Sequence, residues 1–337
     1  MSVALTRSRL SNALRCYMGY ALNRLGSALP FIHPTPYTIH HSPIFVSVEP
    51  ASICQLHCPA CPVGMRKSSI SNLQSSMMSL EVWERVLSEI RDTAHTIQFY
   101  FQGEPLLNKD LPQMIAQAHQ AGLYTILSTN AQAMTPQLAA DLVNAGIDRI
   151  IISMDGLTDS SYNAYRIGGS LDKCKAALRW LREAKDSIGN RQSSNRQLLI
   201  ELQCLRLKSN EQEWKTFKQQ YKALGADRLV FKTAQLYDYA DGHPLMPTDP
   251  RYSRYIKGAD GQYHRRPLRH GCFRVWSGVV ITTNGDVLPC CYDKSHQFAY
   301  GNIMTTPLRE LFTNEKACAF RKAAFRQTPQ ICQECYK

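Results

Sequence analysis

The chain of 337 residues lacks three features that would assign its class directly. No apolar run approaches the ~18 residues that a transmembrane helix needs, which excludes an integral helical membrane protein. There is no internal repeat, and no cleavable secretory signal is expected because Arg15 and Arg24 interrupt the N-terminal apolar stretch. With 44% hydrophobic and 20% charged residues, the sequence is typical of a globular protein that buries a full core.

Acidic residues are also absent from the first 48 positions, which nevertheless contain four arginines. The apolar residues of this segment share one helical face: Leu10, Leu14, Tyr17, Met18, Ala21 and Leu25. Three interpretations stay open, namely a helix on a membrane surface, an organellar presequence, or a helix packed on the main domain. We therefore expect a cytoplasmic protein, with peripheral membrane contact through residues 1–30 as one alternative.

Cysteine and positive charge are both abundant. In a long chain without a secretory signal, twelve clustered cysteines indicate reduced thiolates for metal or redox chemistry rather than disulfides. The formal charge of 39 − 27 = +12 indicates an anionic partner, but it does not distinguish nucleic acid, a membrane surface and an acidic substrate.

Strands and helices alternate from residue 44 to about residue 235. The predicted strands are near-continuous apolar runs at residues 44–49, 96–101, 124–129, 149–154, 197–205 and 228–233. The predicted helices lie between them at residues 80–92, 111–120, 136–144, 171–186 and 211–223, the third with Thr135 as N-cap. This order predicts an α/β fold, a partial (β/α)6 TIM-like barrel with its chemistry on the loops after the strands.

The remaining chain has a different character. Residues 238–250 suggest a linker that opens a basic, tyrosine-bearing stretch. A hairpin is predicted from strands at 279–282 and 287–289, joined by a type I′ turn at Asn284-Gly285, and a helix at 307–326. The predicted domains are a basic N-terminal helix and lead-in (1–43), a barrel (44–237), a linker and basic segment (238–271) and a small hairpin-plus-helix domain (272–337).

A first cysteine group, Cys54, Cys58 and Cys61, lies on the loop after the first strand. Three thiolates within eight residues can hold one metal centre. Structural zinc needs a fourth ligand, whereas a 4Fe–4S cluster on three cysteines leaves one iron open. A zinc knuckle that borrows a distant ligand is the alternative.

Polar motifs follow the next strands in order. Gln102-Gly103-Glu104-Pro105 follows the second strand, and Ser128-Thr129-Asn130 ends the third. Ser153-Met154-Asp155-Gly156 ends the fourth, with Arg166 nearby. Together with the cysteine spacing, these motifs resemble the radical S-adenosylmethionine (radical SAM) superfamily.

The resemblance implies a 4Fe–4S cluster on Cys54, Cys58 and Cys61, with S-adenosylmethionine bound to its open iron. The implied cofactor-binding residues are Gly103, Glu104, Ser128, Asn130, Ser153 and Arg166. Glu104 would accept hydrogen bonds from the amino group, and Asn130, Ser153 and Arg166 would contact the ribose and carboxylate. An electron donor such as flavodoxin or ferredoxin would supply the electron that generates a 5'-deoxyadenosyl radical, which abstracts a substrate hydrogen.

Two positions depart from the family pattern. Gln102 replaces the first glycine of the family motif, which predicts less backbone freedom there. Ala60 stands where the family often has an aromatic residue against the adenine.

A second cysteine group consists of Cys272, Cys290, Cys332 and Cys335. It resembles the SPASM/twitch extension that follows many radical SAM barrels, and it implies one closed auxiliary 4Fe–4S cluster of the twitch-like form. Cys291 and Cys318 are alternative ligands, and a zinc ribbon is the alternative metal site. The other three cysteines are expected to be buried: Cys16, Cys174 and Cys204.

Two functions are compatible with these patterns. The first is a radical SAM oxidoreductase that oxidises or cross-links a small, lipid-linked or peptide substrate, with Asp155, Glu201 and Tyr292 as unranked candidates for a general base. Residues 1–43 are too short for a leader-peptide-binding domain, which favours a small or lipid-linked substrate or a peptide presented by a partner. The second is a basic metal-binding module that contacts nucleic acid through residues 251–274, although no recognised nucleic-acid fold accompanies it.

Overall fold

A computed structural model describes residues 6–28, 40–65, 76–188, 197–266, 272–326, 329–333 and 335. Residues 1–5 and 29–39 of the predicted N-terminal segment, and residues 267–271 of the predicted basic segment, lie outside this description.

A mixed sheet organises the fold. Within the described residues it contains nine strands in the order β11-β10-β9-β1-β2-β3-β4-β5-β6. The six barrel strands are parallel neighbours: β1 (Phe45–Val48), β2 (Thr96–Phe99), β3 (Tyr124–Thr129), β4 (Arg149–Ser153), β5 (Leu199–Arg206) and β6 (Arg228–Thr233). All six were predicted, because parallel strands covered on both faces are continuous apolar runs. Their carboxyl ends lie at one edge of the sheet, where the predicted motifs follow.

Helices cover the outer face of these strands. They are α2 (Leu80–Ile90), α3 (Leu111–Gln120), α4 (Pro136–Asn144), α5 (Asp159–Asn163), α6 (Leu171–Ile188) and α7 (Trp214–Gln220). Each longer helix turns an apolar stripe inward, as with Trp83, Val86 and Ile90 of α2. Thr135 caps α4 as predicted, since its side chain accepts from the Leu138 N–H.

The C-terminal hairpin extends the barrel sheet instead of forming a separate layer. Strand β9 (Gly278–Ile281) pairs in parallel with β1, and β10 (Asp286–Leu288) and β11 (Gly301–Asn302) add to it in antiparallel fashion. The predicted type I′ turn is wrong. Such a turn needs a positive φ at both central residues, and here only Gly285 has one, at 88°. The Gly285 N–H donates to the Thr282 carbonyl at 3.0 Å, which gives a longer loop with glycine in the left-handed position.

Further differences from the predictions concern short elements. A second hairpin, β7 (Tyr255–Lys257) and β8 (Tyr263–Arg265), lies in the predicted basic segment, for which no strand was predicted. The helix predicted at 211–223 starts as a 3-10 helix over Lys208–Glu213 before α7. The C-terminal helices are α8 (Phe273–Ser277), α9 (Leu308–Thr313), α10 (Glu315–Phe325) and α11 (Gln330–Gln333). The predicted helix at 307–326 is broken because Asn314 leaves helical geometry and caps α10.

The N-terminal helix, α1 (Arg7–Ala28), packs on the domain with the face opposite to its apolar one. Arg9, Asn12 and Cys16 are buried, whereas Leu14 is 61% exposed and Tyr17 53% exposed. Helical periodicity identified the apolar face correctly, but it is the opposite, more polar face of the helix that is buried against the domain. No helix in the described part of the chain is both long enough and apolar enough to span a bilayer.

Candidate active site

The first cysteine group lies together on the loop that leaves β1. The charge of Cys61 raises the pKa of both Cys54 and Cys58, and the charge of Cys54 also raises that of Cys58. The loop is closed by its own hydrogen bonds, since the Cys61 N–H donates to the Cys58 carbonyl at 3.1 Å and the Leu56 N–H donates to Cys54 Sγ at 3.4 Å. Among the described residues, no three cysteine, histidine or acidic side chains have the spacing that a single metal ion requires.

The environment of Cys54 and Cys58 favours the protonated form of their thiols. Burial raises the pKa of the Cys58 thiol to about 11, against an opposing effect of the Arg166 charge, and burial also raises the pKa of Cys54. Metal binding deprotonates such thiols and provides the positive charge that a buried thiolate group needs. This donor set therefore fits a metal cluster.

Gly103 brings the motif after β2 into contact with the cysteine loop. Its φ is 66°, and a Cβ at this position would overlap the Ala51 carbonyl oxygen and lie 2.8 Å from the Ile53 carbonyl oxygen. The next N–H, of Glu104, donates to that Ile53 carbonyl at 2.8 Å. Only glycine fits this close approach in a left-handed conformation.

The replacement of the family's first glycine by Gln102 has a structural explanation. Gln102 does not adopt a positive φ, so the position does not need glycine's freedom. Its side chain is 5% exposed, and Nε2 donates to the Lys294 carbonyl at 3.1 Å. The side chain therefore ties the motif to the segment that follows Cys290.

The Glu104 carboxylate links the ends of β2 and β3. It is 1% exposed and accepts from Thr129 Oγ1 at 2.5 Å, from the Asn130 N–H at 2.8 Å and from the Leu106 N–H at 3.1 Å. Burial raises the pKa of Glu104, and these donors oppose that effect. Three donors occupy part of the carboxylate's acceptor capacity, so it can still accept a hydrogen bond from a ligand.

The other predicted cofactor-binding residues lie at the same edge. Asn130 Nδ2 donates to Cys54 Sγ at 3.4 Å. Among the described residues, the Ser128 and Ser153 hydroxyls have no hydrogen-bond partner. Hydroxyls without a protein partner suit a polar ligand at this edge.

Arg166 lies beside the cysteine loop but is held by Asp155. Arg166 Nε donates to Asp155 Oδ2 at 2.6 Å, and Asp155 Oδ1 accepts from the Leu205 N–H at 2.6 Å. Asp155 is fully buried, which makes it a structural acceptor.

The other two candidate bases are engaged as well. Glu201 is fully buried and pairs with Arg149 and Arg228, in the N-terminal half of β5 and away from the carboxyl ends of the strands. The Tyr292 hydroxyl accepts from Arg254 Nη1 at 2.9 Å.

The second cysteine group also lies together. Burial raises the pKa of Cys332 to about 12, and the charges of Cys272 and Cys335 contribute to this rise. Burial likewise raises the pKa of Cys290, and the charges of Cys291, Cys272 and Cys332 raise it further. The two segments that approach here are the flanks of the β9–β10 hairpin and α11, where the Cys335 N–H donates to the Cys332 carbonyl at 3.2 Å.

The two alternative cysteines have other partners. Cys318 Sγ donates to the Thr313 carbonyl at 3.4 Å and accepts from Arg321 at 3.7 Å. Cys291 Sγ accepts from Arg274 Nη1 at 2.9 Å.

A cavity of about 250 Å³ opens between β1 and the second cysteine group. Its walls include apolar residues from three elements: Phe45, Phe273, Val279 and Val280. Polar groups converge on it from Arg274, from Cys291 and from Gln98, which accepts from Ser47 at 3.0 Å. The cavity was not predicted from the sequence, because β9 lies far along the chain from β1 and β2 and joins their sheet beside β1 only in the folded protein.

Several side chains of the basic segment proposed for nucleic acid are used within the chain. Arg254 donates to the Thr233 carbonyl and to Tyr292, and Arg266 donates to the Ser253 and Pro250 carbonyls. The Tyr255 side chain is 1% exposed, and its hydroxyl donates to the Leu236 carbonyl and accepts from the Leu236 N–H. These side chains are therefore not free to bind phosphate or stack on bases.

Family comparisons identify the chain. The model of the radical SAM superfamily matches residues 48–190, and that of an iron–sulfur cluster-binding domain, SPASM, matches residues 272–336. A PqqA peptide cyclase of Rhodopseudomonas palustris is 31% identical over 280 residues, which cover 74% of this chain and 67% of the relative. The chain belongs to the radical SAM superfamily. This confirms the resemblance drawn from the motifs.

Other relatives agree. A PqqA peptide cyclase of Streptomyces rochei is 24% identical over 326 residues, covering 87% of this radical SAM protein and 82% of the relative. One of Bradyrhizobium diazoefficiens is 29% identical over 214 residues, or 61% of this chain, and the match spans 51% of that relative, about half its length.

Solved structures confirm the radical SAM fold. anSMEcpe with bound AdoMet has a TM-score of 0.62 at 21% identity, covering 84% of this chain and 81% of that one. BtrN with AdoMet and 2-DOIA has a TM-score of 0.51 at 19% identity, covering 87% and 93%. The cofactors are a 4Fe–4S cluster and S-adenosylmethionine in the radical SAM domain and auxiliary iron–sulfur cluster binding in the SPASM domain.

Gly103→Ala should disrupt the active site through the overlap with Ala51. We expect 5'-deoxyadenosine formation to fall on the order of 100-fold, because a small displacement of a catalytic loop is costly. Gly261→Ala is the matched control, since Gly261 has a similar φ of 82° but no atom within 4 Å of the added Cβ. Equal activity of the two variants would contradict this role of Gly103.

Glu49 should make stability depend on pH. Its carboxyl group is fully buried at the end of β1, and burial raises its pKa from 4.5 to about 7. The pKa of Glu49 is higher in the folded than in the unfolded state. The stabilising contribution of its neutral carboxyl group is therefore complete below about pH 4.5 and is lost as pH rises through 7. The difference of about 2.5 units corresponds to about 3 kcal/mol of unfolding free energy. Glu49→Gln should flatten this part of the profile in urea unfolding, and an unchanged profile would contradict the assignment.

Proposed function

We propose that Cys54, Cys58 and Cys61 hold the cluster that binds S-adenosylmethionine, and that Cys272, Cys290, Cys332 and Cys335 hold one auxiliary 4Fe–4S cluster. In support, each group lies together in the fold, and burial makes each dependent on a metal centre for its charge. Cys318 is directed to a carbonyl elsewhere, which supports the four-cysteine assignment.

We assign the contacts to S-adenosylmethionine to the residues at the ends of β2, β3 and β4. Glu104 keeps acceptor capacity for the amino group. The Ser128 and Ser153 hydroxyls are candidates for the ribose, with Asn130 beside Cys54. Arg166 supplies positive charge for the carboxylate, with Asp155 fixing its orientation. Gly103 lets the backbone approach.

The bound cluster and cofactor supply a radical that takes a hydrogen atom from the substrate. We propose that the substrate group reaches the strand ends that hold S-adenosylmethionine. The observation that carries the assignment is the meeting of the cysteine loop with Glu104 and Asn130 at those ends. Gln102 ties these strand ends to the segment that follows Cys290, so an electron from the substrate has an auxiliary cluster as a near acceptor. This favours an oxidation or a cross-link, as in an oxidoreductase, with a flavodoxin or ferredoxin as external electron donor.

We propose a peptide as the substrate class. Relatives whose similarity spans both the barrel and the C-terminal region are PqqA peptide cyclases. This revises the preference for a small or lipid-linked substrate that the short N-terminal segment suggested.

The cluster assignment is tested by anaerobic reconstitution with iron and sulfide, then addition of reductant and S-adenosylmethionine. The wild type should form 5'-deoxyadenosine, and Cys54→Ala, Cys58→Ala and Cys61→Ala should form none. Cys335→Ala should lose about four of about eight irons per chain yet still cleave S-adenosylmethionine. Cys318→Ala, the matched control, should retain all of its iron. Four irons with one zinc in the wild type would contradict the auxiliary cluster.

The substrate class is tested with extract of source cells grown in D2O. Hydrogen abstraction should transfer deuterium from the extract to 5'-deoxyadenosine. If the substrate is a peptide, protease treatment of the extract should abolish the transfer, while a heat-inactivated protease should not. Transfer that survives protease would contradict a peptide and favour a small molecule.

A further inference from the structure

The outward face of α1 is apolar along the length of the helix. Its large side chains are between 46% and 61% exposed: Leu10, Leu14, Tyr17, Met18, Leu22 and Leu25. Single exposed apolar residues are common on proteins, but a contiguous helical stripe marks an interaction surface.

Buried polar contacts hold the helix in this orientation. The Arg9 guanidinium donates to the carbonyls of Ala121 (2.6 Å), Gly122 (3.0 Å) and Arg91, at the C-terminal ends of α2 and α3. A cation is favourable at such ends, where carbonyls lack helical partners.

Three further hydrogen bonds fix the rotation of α1. Asn12 Nδ2 donates to the Ser42 and Thr93 carbonyls, both at 3.0 Å, and Trp276 Nε1 donates to the Cys16 carbonyl at 2.8 Å. Turning the apolar face inward would break all of these bonds and leave buried polar groups unsatisfied. The exposure of the apolar face is therefore built into the packing.

Basic residues border the exposed face. On an α-helix, Arg15 and Arg24 fall on its two sides and Arg7 at its N-terminal end. Beside the helix lies a groove of about 240 Å³ whose lining has no acidic residue: Ser8, Ser11, Asn12, Arg15, His40, His41, Ser42, Thr93 and Arg309. Among the described residues, the Arg15 and Arg309 side chains have no hydrogen-bond or ion-pair partner.

We propose that α1 and this groove bind a membrane surface that contains anionic phospholipid, with α1 lying in the plane of the interface. The apolar stripe enters the boundary between headgroups and acyl chains, and the arginines and groove hydroxyls contact lipid phosphates. A second copy suits the surface less well, because an antiparallel two-fold contact would bring Arg7 of one helix near Arg24 of the other, and α1 has no acidic residue to offset the repulsion. This surface acts independently of the cluster chemistry.

Vesicle flotation of the full-length reconstituted protein tests the proposal. The protein should float with vesicles of phosphatidylcholine containing about one-third phosphatidylglycerol, and high salt should weaken the binding. Flotation with phosphatidylcholine alone should be much lower. Met18→Asp should reduce the bound fraction about ten-fold, and Arg15→Gln and Arg309→Gln about five-fold each.

Matched variants separate this role from general surface effects. Met304→Asp replaces an exposed methionine outside α1, and Arg179→Gln replaces an exposed arginine on α6. Both should float like the wild type, and all variants should keep their iron content and circular dichroism. No flotation of the wild type, equal binding to both vesicle types, or equal losses in the matched variants would overturn the proposal. A dimer in sedimentation velocity that Met18→Asp dissociates, without flotation, would instead assign the face to self-association.

Discussion

The close approach of Gly103 to the Ala51 carbonyl is the constraint on which the active site depends. It brings the turn after β2 against the loop that carries Cys54, and the bond from Glu104 N–H to the Ile53 carbonyl fixes the register of the two segments. The Glu104 carboxylate then extends the connection to the end of β3 through Thr129. Three consecutive strand ends thus form one rigid edge, because each is bonded to the next by buried polar groups whose loss is costly.

Sequence patterns predicted the parts of the fold that depend on local periodicity and on strand ends. The six barrel strands are apolar runs, so their positions follow from burial on both faces. The polar motifs come together because parallel strands end at one edge, so Asn130 and Arg166 could be expected near the cysteine loop. Their hydrogen-bond partners could not be predicted, since the Asn130 contact with Cys54 and the Arg166 contact with Asp155 depend on side-chain rotamers that the assembled loops determine.

Other features escaped prediction for identifiable physical reasons. The orientation of α1 follows from Arg9 and Asn12, whose partners are carbonyls of distant segments and leave no local pattern. The break before α10 rests on one capping residue, Asn314, inside an otherwise helical composition. The hairpin turn was assigned from Asn284-Gly285 alone, whereas Thr282 and its bonds to Asp286 determine the loop length. In each case a tertiary or capping contact outweighs local propensity.

The five-residue helix α8 has several roles at once. Cys272 stands at its N-cap, Arg274 faces the cavity, Phe273 stacks on Tyr17 at 5.1 Å, and Trp276 holds the backbone of α1. A single turn of helix cannot shift by one residue without moving all four side chains to new directions. In evolution this segment should therefore tolerate neither insertions nor deletions. Lineages that lose α1 should also replace Phe273 and Trp276, so the N-terminal helix and the auxiliary domain are expected to diverge together.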